Sequence, residues 1–271
     1  MHNSFPRLHI VVTGGSRGIG RALALEFLKK ECLVTISGRN KESILSTVEA
    51  LKTESGFPHC LGIPCDVRNL EELQLLWQKA SKLQPVDIWI NNAGINHRTR
   101  SLLELDPSEI NSVIDTNIRG TILGSRVALA GMKQQGFGSL YNMEGLGSDG
   151  RIVAGTSIYG TSKSAVRYFT RSLIKEYQNT PLTVGSISPG MVVTDMILKP
   201  LEGEPEKHRS AIKIFHILAD TPERVTPWIV QKLLENKRHG RHIAWLSCSK
   251  ILLRFLLNMF KKRKVEGLAP F

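Results

Sequence analysis

Residues Thr13–Gly20 read TGGSRGIG, and they stand between an apolar run, LHIVV, and a segment with helical spacing, RALALEFLKK. A strand that enters a glycine-rich turn and continues at once into a helix leaves few folds open. Gly14 permits the tight turn, while Gly18 and Gly20 let a phosphate and neighbouring backbone come close. The helix N-terminus adds unpaired N–H groups and the positive end of its dipole. Strand, loop and helix occur in the order that holding a dinucleotide pyrophosphate requires. Gly14, Ser16, Arg17, Gly18, Ile19 and Gly20 are therefore the candidate phosphate contacts.

The strand-then-helix unit recurs along the chain. The runs LHIVVTG, LVTISG, LGIPCDV, VDIWINNAG, SLYNM, LTVGSISPG and HIAWLS are short and rich in β-branched residues. Helical spacing separates them, over Gly20 to Lys30, Lys41 to Lys52, Leu70 to Lys82 and Ser108 to Lys133. Nearly continuous apolar strands joined by helices predict an α/β fold, a Rossmann-type doubly wound parallel sheet of about seven strands. The 271 residues suit one such domain over 1–249, followed by a basic amphipathic C-terminal extension over 250–271. The rhythm breaks after Pro189, and the proline-rich mixture of charge and apolar anchors predicts a partly helical substrate loop over about 190–226.

Cys32, Cys60, Cys65 and Cys248 lack metal-ligand spacing, so reduced thiols and no metal site are expected. The opening MHNSFPRLHIVVTGG leads straight into a strand, without an apolar signal core or an Arg/Ser-rich transit pattern. A cytoplasmic location is expected, at the periphery of a membrane if the C-terminus binds one. The longest apolar cluster, ILLRFLLNMF, is about half of what spans a bilayer as a helix.

The second strand ends in SGRNK, with Arg39 where an acid would bond the ribose hydroxyls of NADH. Arg39 and Arg17 suit a 2′-phosphate through charge-assisted contacts, which favours NADPH; the alternative is that one arginine stacks on the adenine. Asp66 and Val67, after the third strand, are placed to meet the adenine, and Asn92, Ala93 and Gly94 end the fourth. Asn117, inside the following helix, is either a satisfied core amide or the organiser of a proton-relay water. Tyr159 and Lys163 stand at i and i+4 on the helix after the fifth strand, so they share a face. Such a pair can protonate a carbonyl as hydride arrives, the ammonium lowering the phenol pKa, and Tyr159 and Lys163 are also candidate cofactor contacts, the ammonium able to hold the nicotinamide ribose.

Taken in order from about Leu8 to Leu246, TGGSRGIG, DV, NNAG, Asn117, YGTSK and SPGMVVTD resemble the short-chain dehydrogenase/reductase superfamily. The resemblance implies that Pro189, Gly190, Val192 and Thr194 meet the nicotinamide end of the cofactor. One departure stands out: the superfamily's Asn-x-Ser-Ser is NMEG here, with Glu144 and Gly145 at the serine places. NMEGLGSDG, SPGMVVTDMIL and ILADTPERVTPWIV look like the chlorophyll b reductase group, which reduces the C7 formyl of chlorophyll b or its phytol-free form with NADPH. That resemblance implies a large apolar, chlorophyll-type substrate. Ser148 is the candidate replacement for the missing serine, as oxyanion donor, or else a residue that caps the loop. Glu144 is expected to bond backbone N–H groups or to act on a pigment's magnesium through water. Two other activities stay open: reduction of steroid-like or lipid ketones, and a catalytically weak NADPH-binding scaffold.

Of the net charge of +12, residues 207–271 hold fourteen Lys and Arg against four Asp and Glu. An anionic membrane surface is the partner this excess suggests and a solvated surface the plainer alternative; no nucleic-acid partner is expected, and a homo-oligomer is. In KILLRFLLNMFKKRK, Lys250, Arg254, Asn258 and Lys262 recur every four residues and form one polar stripe on an otherwise apolar helix.

Overall fold

The β-branched run His9–Thr13 forms strand β1, buried along its whole length. Ile10 and Val12 join the apolar cluster on one face of the sheet and Val11 the cluster on the other. A strand covered on both faces has no reason to alternate with polar residues, which is why its sequence is continuously apolar. The computed structural model describes residues 8–198, 205–260 and 262–265, and of 205–211 the backbone only. Residues 199–204 of the expected substrate loop, and Lys261 and residues 266–271 of the C-terminal extension, lie outside the described residues, as do residues 1–7.

In chain order the elements after β1 are α1 (Gly18–Leu28), β2 (Leu33–Gly38), α2 (Lys41–Ser55), β3 (Cys60–Pro64), α3 (Leu70–Leu83) and β4 (Ile88–Asn91). α4 (Pro107–Ile114), α5 (Gly120–Gln135), β5 (Gly138–Met143), α6 (Ser157–Glu176) and β6 (Leu182–Ser188) follow. The last are α7 (Asp195–Leu198), α8 (Pro205–Leu218), α9 (Pro222–Glu235), β7 (His242–Ala244) and α10 (Cys248–Phe260). The seven strands are all parallel, in the order β3-β2-β1-β4-β5-β6-β7. The expected doubly wound sheet is what the chain forms. Leucine, isoleucine and phenylalanine side chains of α1, α2 and α9 cover one face, and those of α3, α5 and α6 cover the other with Trp89 and Met132. Each such side chain taken fully out of water contributes about 1.5–3 kcal/mol.

Strand order reverses between β1 and β4, and a crevice opens there at the carboxyl ends of the strands. Local chemistry sets the helix ends beside it. Asn40 caps α2 by accepting the Ser43 N–H, and Asn69 caps α3 by accepting those of Glu71 and Glu72. One expected element differs: Ser108 to Lys133 is not a single helix, because α4 and α5 are separated by a π turn over Asp115–Arg119. Asn117, fully buried within that turn, bonds the Ile95 backbone instead of facing the helix. None of the four cysteines is in a disulfide, and burial pushes the Cys60 and Cys65 thiols up to about 12.

Candidate active site

The glycine turn at the end of β1 is locked from behind. Gly14 has φ +67°, and a Cβ there would lie 2.8 Å from the Ala93 Cα, so only glycine fits. The Asn92 side-chain amide donates to the carbonyls of Thr13 and Gly14 at 2.9 and 3.1 Å. The N–H groups of Asn92 and Ala93 both donate to Thr13 Oγ1 at 3.1 Å. Asn92 is therefore a clamp between β4 and the loop as well as a lining residue.

A cavity of about 1320 Å3 extends from this turn across the ends of β4, β5 and β6. Its near end is lined by Gly14, Ser16, Arg17, Gly18, Ile19, Gly20, Arg39, Asp66 and Val67, and its middle by Asn92, Ala93 and Gly94. Pro189, Gly190, Val192 and Thr194 form a further wall. Of the expected site residues Asn117 alone lies outside the lining, directly behind Gly94: a Cβ on Gly94 would be 3.2 Å from Asn117 Oδ1 and 3.5 Å from Lys163 Nζ. The near end fits a nicotinamide dinucleotide. The turn leaves backbone open to a pyrophosphate, and Arg17 and Arg39 line the same end of the cavity. Arg17 is exposed and 3.8 Å from Asp195. Asp66 is engaged by the Arg68 guanidinium at 2.6 Å, and that hydrogen bond holds its carboxyl below the usual range.

Tyr159 and Lys163 meet deeper in the same cavity, on the first turns of α6. The Tyr159 N–H donates to His97 Nε2 at 3.3 Å. The other His97 nitrogen, Nδ1, is 2.6 Å from the Arg98 carbonyl and so carries the proton, an assignment made from its partners. The Tyr159 carbonyl accepts from the Ser162 hydroxyl at 2.7 Å, and that oxygen accepts from Asn117 Nδ2 at 3.0 Å. The Asn117 amide also accepts the Ile95 N–H and donates to the Ile95 carbonyl. Backbone positions from three segments thus fix the turn that carries the phenol. Lys163 donates to the Met143 carbonyl at 3.1 Å and lies 5.9 Å from the centre of the Tyr159 ring. Burial pushes the Tyr159 phenol up to about 12. It brings the Lys163 ammonium down to about 8, against the Glu144 carboxylate, which raises it. The lowering of the phenol expected from the sequence is outweighed here, because the ammonium lies over the ring while the hydroxyl is desolvated.

The place of the superfamily serine is structurally explicit. A Cβ built on Gly145 would stand 2.7 Å from the Tyr159 phenol oxygen, so the phenol occupies space a side chain would need. Ser148 lines the cavity, yet its hydroxyl donates to the Gly145 carbonyl at 2.6 Å and accepts the Gly145 N–H at 2.9 Å. Ser164 fastens the same loop by donating to the Gly147 carbonyl at 2.7 Å. Glu144 is 4% exposed, with one carboxylate oxygen that has no hydrogen-bond partner. Its carboxylate faces the side chains of Arg167 and His242, each at 3.6 Å, and not the backbone N–H groups that were one of its two expected partners. His97, Ser162, Arg167 and His242 escaped the sequence reading. Ser162 alone had a signal, its place three residues after Tyr159 on the same helix face.

The chain is similar to known proteins over most of its length. The family model described as short chain dehydrogenase matches residues 8–204. A probable chlorophyll(ide) b reductase, chloroplastic, of Arabidopsis thaliana is 33% identical over 94% of this chain and 53% of its own length. A chlorophyll(ide) b reductase, chloroplastic, of Oryza sativa subsp. japonica is 36% identical over 84% of this chain and 67% of its own length. Carbonyl reductase family member 4 of Xenopus laevis is 38% identical over 68% and 75% respectively. The chain spans about half the length of the Arabidopsis relative. Among solved structures, levodione reductase superposes with a TM-score of 0.80 at 22% identity, covering 91% of this chain and 98% of that one. The closed form of serine dehydrogenase complexed with NADP+ gives 0.76 at 24%, over 89% and 96%.

Proposed function

The chain belongs to the short-chain dehydrogenase family, and within it we propose that it is an NADPH-dependent carbonyl reductase acting on an aldehyde carried by a large apolar ring, the C7 formyl of chlorophyll b or chlorophyllide b. The observation that carries this reading is the meeting of the Tyr159 phenol and the Lys163 ammonium inside one cavity of about 1320 Å3, between a glycine cradle and an apolar wall. The relatives named chlorophyll(ide) b reductase support the choice of substrate. Arg17 and Arg39 support the choice of NADPH, since a 2′-phosphate is a bidentate partner for a guanidinium.

When bound, the nicotinamide supplies hydride; the residues of the chain supply everything else. Gly14, Ser16, Arg17, Gly18, Ile19 and Gly20 would hold the pyrophosphate, Asp66 and Val67 the adenine side, and Pro189, Gly190, Val192 and Thr194 the nicotinamide side. Tyr159 gives its proton to the carbonyl oxygen. Lys163, fixed by the Met143 carbonyl, steadies the negative charge that this leaves on the phenol. Asn117, with its side chain tied to Ile95 and Ser162, is a satisfied core amide that positions the turn carrying Tyr159. Ser148 can serve the substrate oxygen only by exchanging its bond to Gly145, so its present bonds support a role in setting the loop. Met191, Met196, Ile197, Ile214, Phe215 and Leu218 wall the part of the cavity left for the ring.

The test is incubation of the purified chain with chlorophyllide b and either NADPH or NADH, followed by chromatography of the pigment. Formation of the hydroxymethyl product with NADPH is the expected result. Turnover restricted to steroid-like or lipid ketones would replace the substrate, and NADPH binding without turnover of any carbonyl would leave a scaffold.

A further inference from the structure

Helix α10 docks on the domain by its polar side. Arg254 donates to the Leu218 carbonyl at 2.7 Å and to Asp220 Oδ2 at 2.6 Å. Asn258 accepts the N–H of Arg263, whose guanidinium also reaches Asp220. The Lys250 ammonium sits 3.1 Å from the centre of the Trp245 ring, and Trp245 itself donates to Asp220 at 2.6 Å. Three residues of the polar stripe, Lys250, Arg254 and Asn258, therefore face inward, toward a carboxylate that is 1% exposed, whereas Lys262 lies beyond the helix and is exposed. Turning the helix over would leave that buried carboxylate with Arg224 alone, 3.6 Å away, in place of three cations, so the orientation is strongly held.

The consequence lies on the outer side. Leu252, Leu253, Leu256, Leu257, Met259 and Phe260 are between 49% and 88% exposed, a contiguous apolar surface on one short helix. Exposed Lys262 and Lys264 follow immediately, in a C-terminal quarter with fourteen cationic and four anionic side chains. A second copy set against this face would bring like charges together, whereas anionic headgroups complement them. The surface also adjoins the cavity mouth: Cys248 of the first turn of α10 lines the cavity, as does Ile214 of α8, itself 46% exposed.

We propose that α10 is an interfacial anchor that lies along an anionic lipid surface, its outward apolar side chains at the boundary of headgroups and acyl chains and Lys262 and Lys264 at the phosphates. The chain then sits with its cavity opening toward the lipid, the direction from which an apolar substrate would come. That last step rests on the reductase reading; the anchoring does not.

The test is co-sedimentation of the full chain with vesicles of phosphatidylcholine alone and of phosphatidylcholine with phosphatidylserine. The chain is expected to sediment with the anionic vesicles, and much less so in high salt. The variant L256D/F260D changes two side chains that the fold does not bury, and it should weaken sedimentation by about tenfold or more while keeping the parental melting temperature and NADPH affinity. Equal sedimentation of parent and variant, or none by the parent, overturns the proposal. So does a parent that is dimeric without vesicles and a variant that is monomeric, since a second copy would then cover the face. Vesicle binding without turnover of chlorophyllide b leaves the anchor standing and removes the substrate, and turnover without vesicle binding does the reverse.

Discussion

Gly145 offers the sharpest perturbation of the site, because it stands where the superfamily has a serine and where the phenol comes closest. A methyl group added by Gly145→Ala would start 2.7 Å from the Tyr159 oxygen, with Lys163 Cγ and Cε at 3.3 and 3.4 Å. Carbon at that distance from oxygen is overlap, so the phenol, the lysine or the loop must yield by at least about 0.3 Å. The loop is held by both bonds of Ser148 and by Ser164, and the Tyr159 backbone by His97 and Ser162. The phenol end is left to move, away from Gly145 and out of line with the carbonyl. Overpacking of this kind costs about 1–3 kcal/mol. Felt as misplacement of the acid, it lowers kcat by about 5-fold to 150-fold. The assay is single-turnover reduction under saturating NADPH, with cofactor affinity by fluorescence and melting temperature measured alongside. Cofactor affinity should be unchanged, since the cradle lies at the other end of the cavity. Gly145→Ser places the same carbon and adds a hydroxyl, so it should recover at most part of the loss. Parental turnover in Gly145→Ala, or a Gly145→Ser enzyme faster than the parent, would refute the close-approach argument.

Four further outcomes are expected. Tyr159→Phe should retain NADPH binding and lose turnover by about 10² or more, as when a general acid is removed; near-parental turnover would remove the assignment. Arg39→Asp should weaken NADPH binding by about 1.5–3 kcal/mol and improve NADH, read from the Michaelis constants of both cofactors. The alkaline limb of kcat/KM should fall near pH 8: Lys163 loses its proton through about 8 while the phenol keeps its own until about 12. Glu144→Gln removes a charge that favours the ammonium, so the limb should move to lower pH; an unmoved limb would show that Glu144 does not act on Lys163.

What the sequence could disclose follows from which forces act locally. The glycine turn was legible because positive φ at Gly14 is a backbone requirement, and Tyr159 with Lys163 because helical period alone puts them on one face. The partners that aim those side chains were not. His97 lies 62 residues before Tyr159, and Met143, whose carbonyl holds the ammonium, lies 20 before Lys163; no spacing rule links such positions. The phenol pKa went the same way: the lysine four residues on is visible in the sequence, but the burial that outweighs it is a property of the folded cavity.

Helix α10 shows the same limit in its plainest form. Period four announced a polar stripe at Lys250, Arg254, Asn258 and Lys262, and an amphipathic helix is ordinarily read with its apolar side toward the protein. Which side turns inward is decided by what the domain presents to it. Here the domain presents Asp220, in a segment that also bonds the wall of the cavity, with its N–H on the Met191 carbonyl and its carbonyl accepting from Val193. A carboxylate there is tolerable only with cations brought to it: the domain supplies Arg224 at 3.6 Å, and the two that hydrogen-bond it, Arg254 and Arg263, come from the helix and the residues just after it. The ion cluster thus does two things at once: it ties the C-terminal extension to the loop beside the nicotinamide end, and it leaves the apolar side of α10 facing outward. An enzyme whose extension packed by its leucines would have neither the exposed face nor that tie.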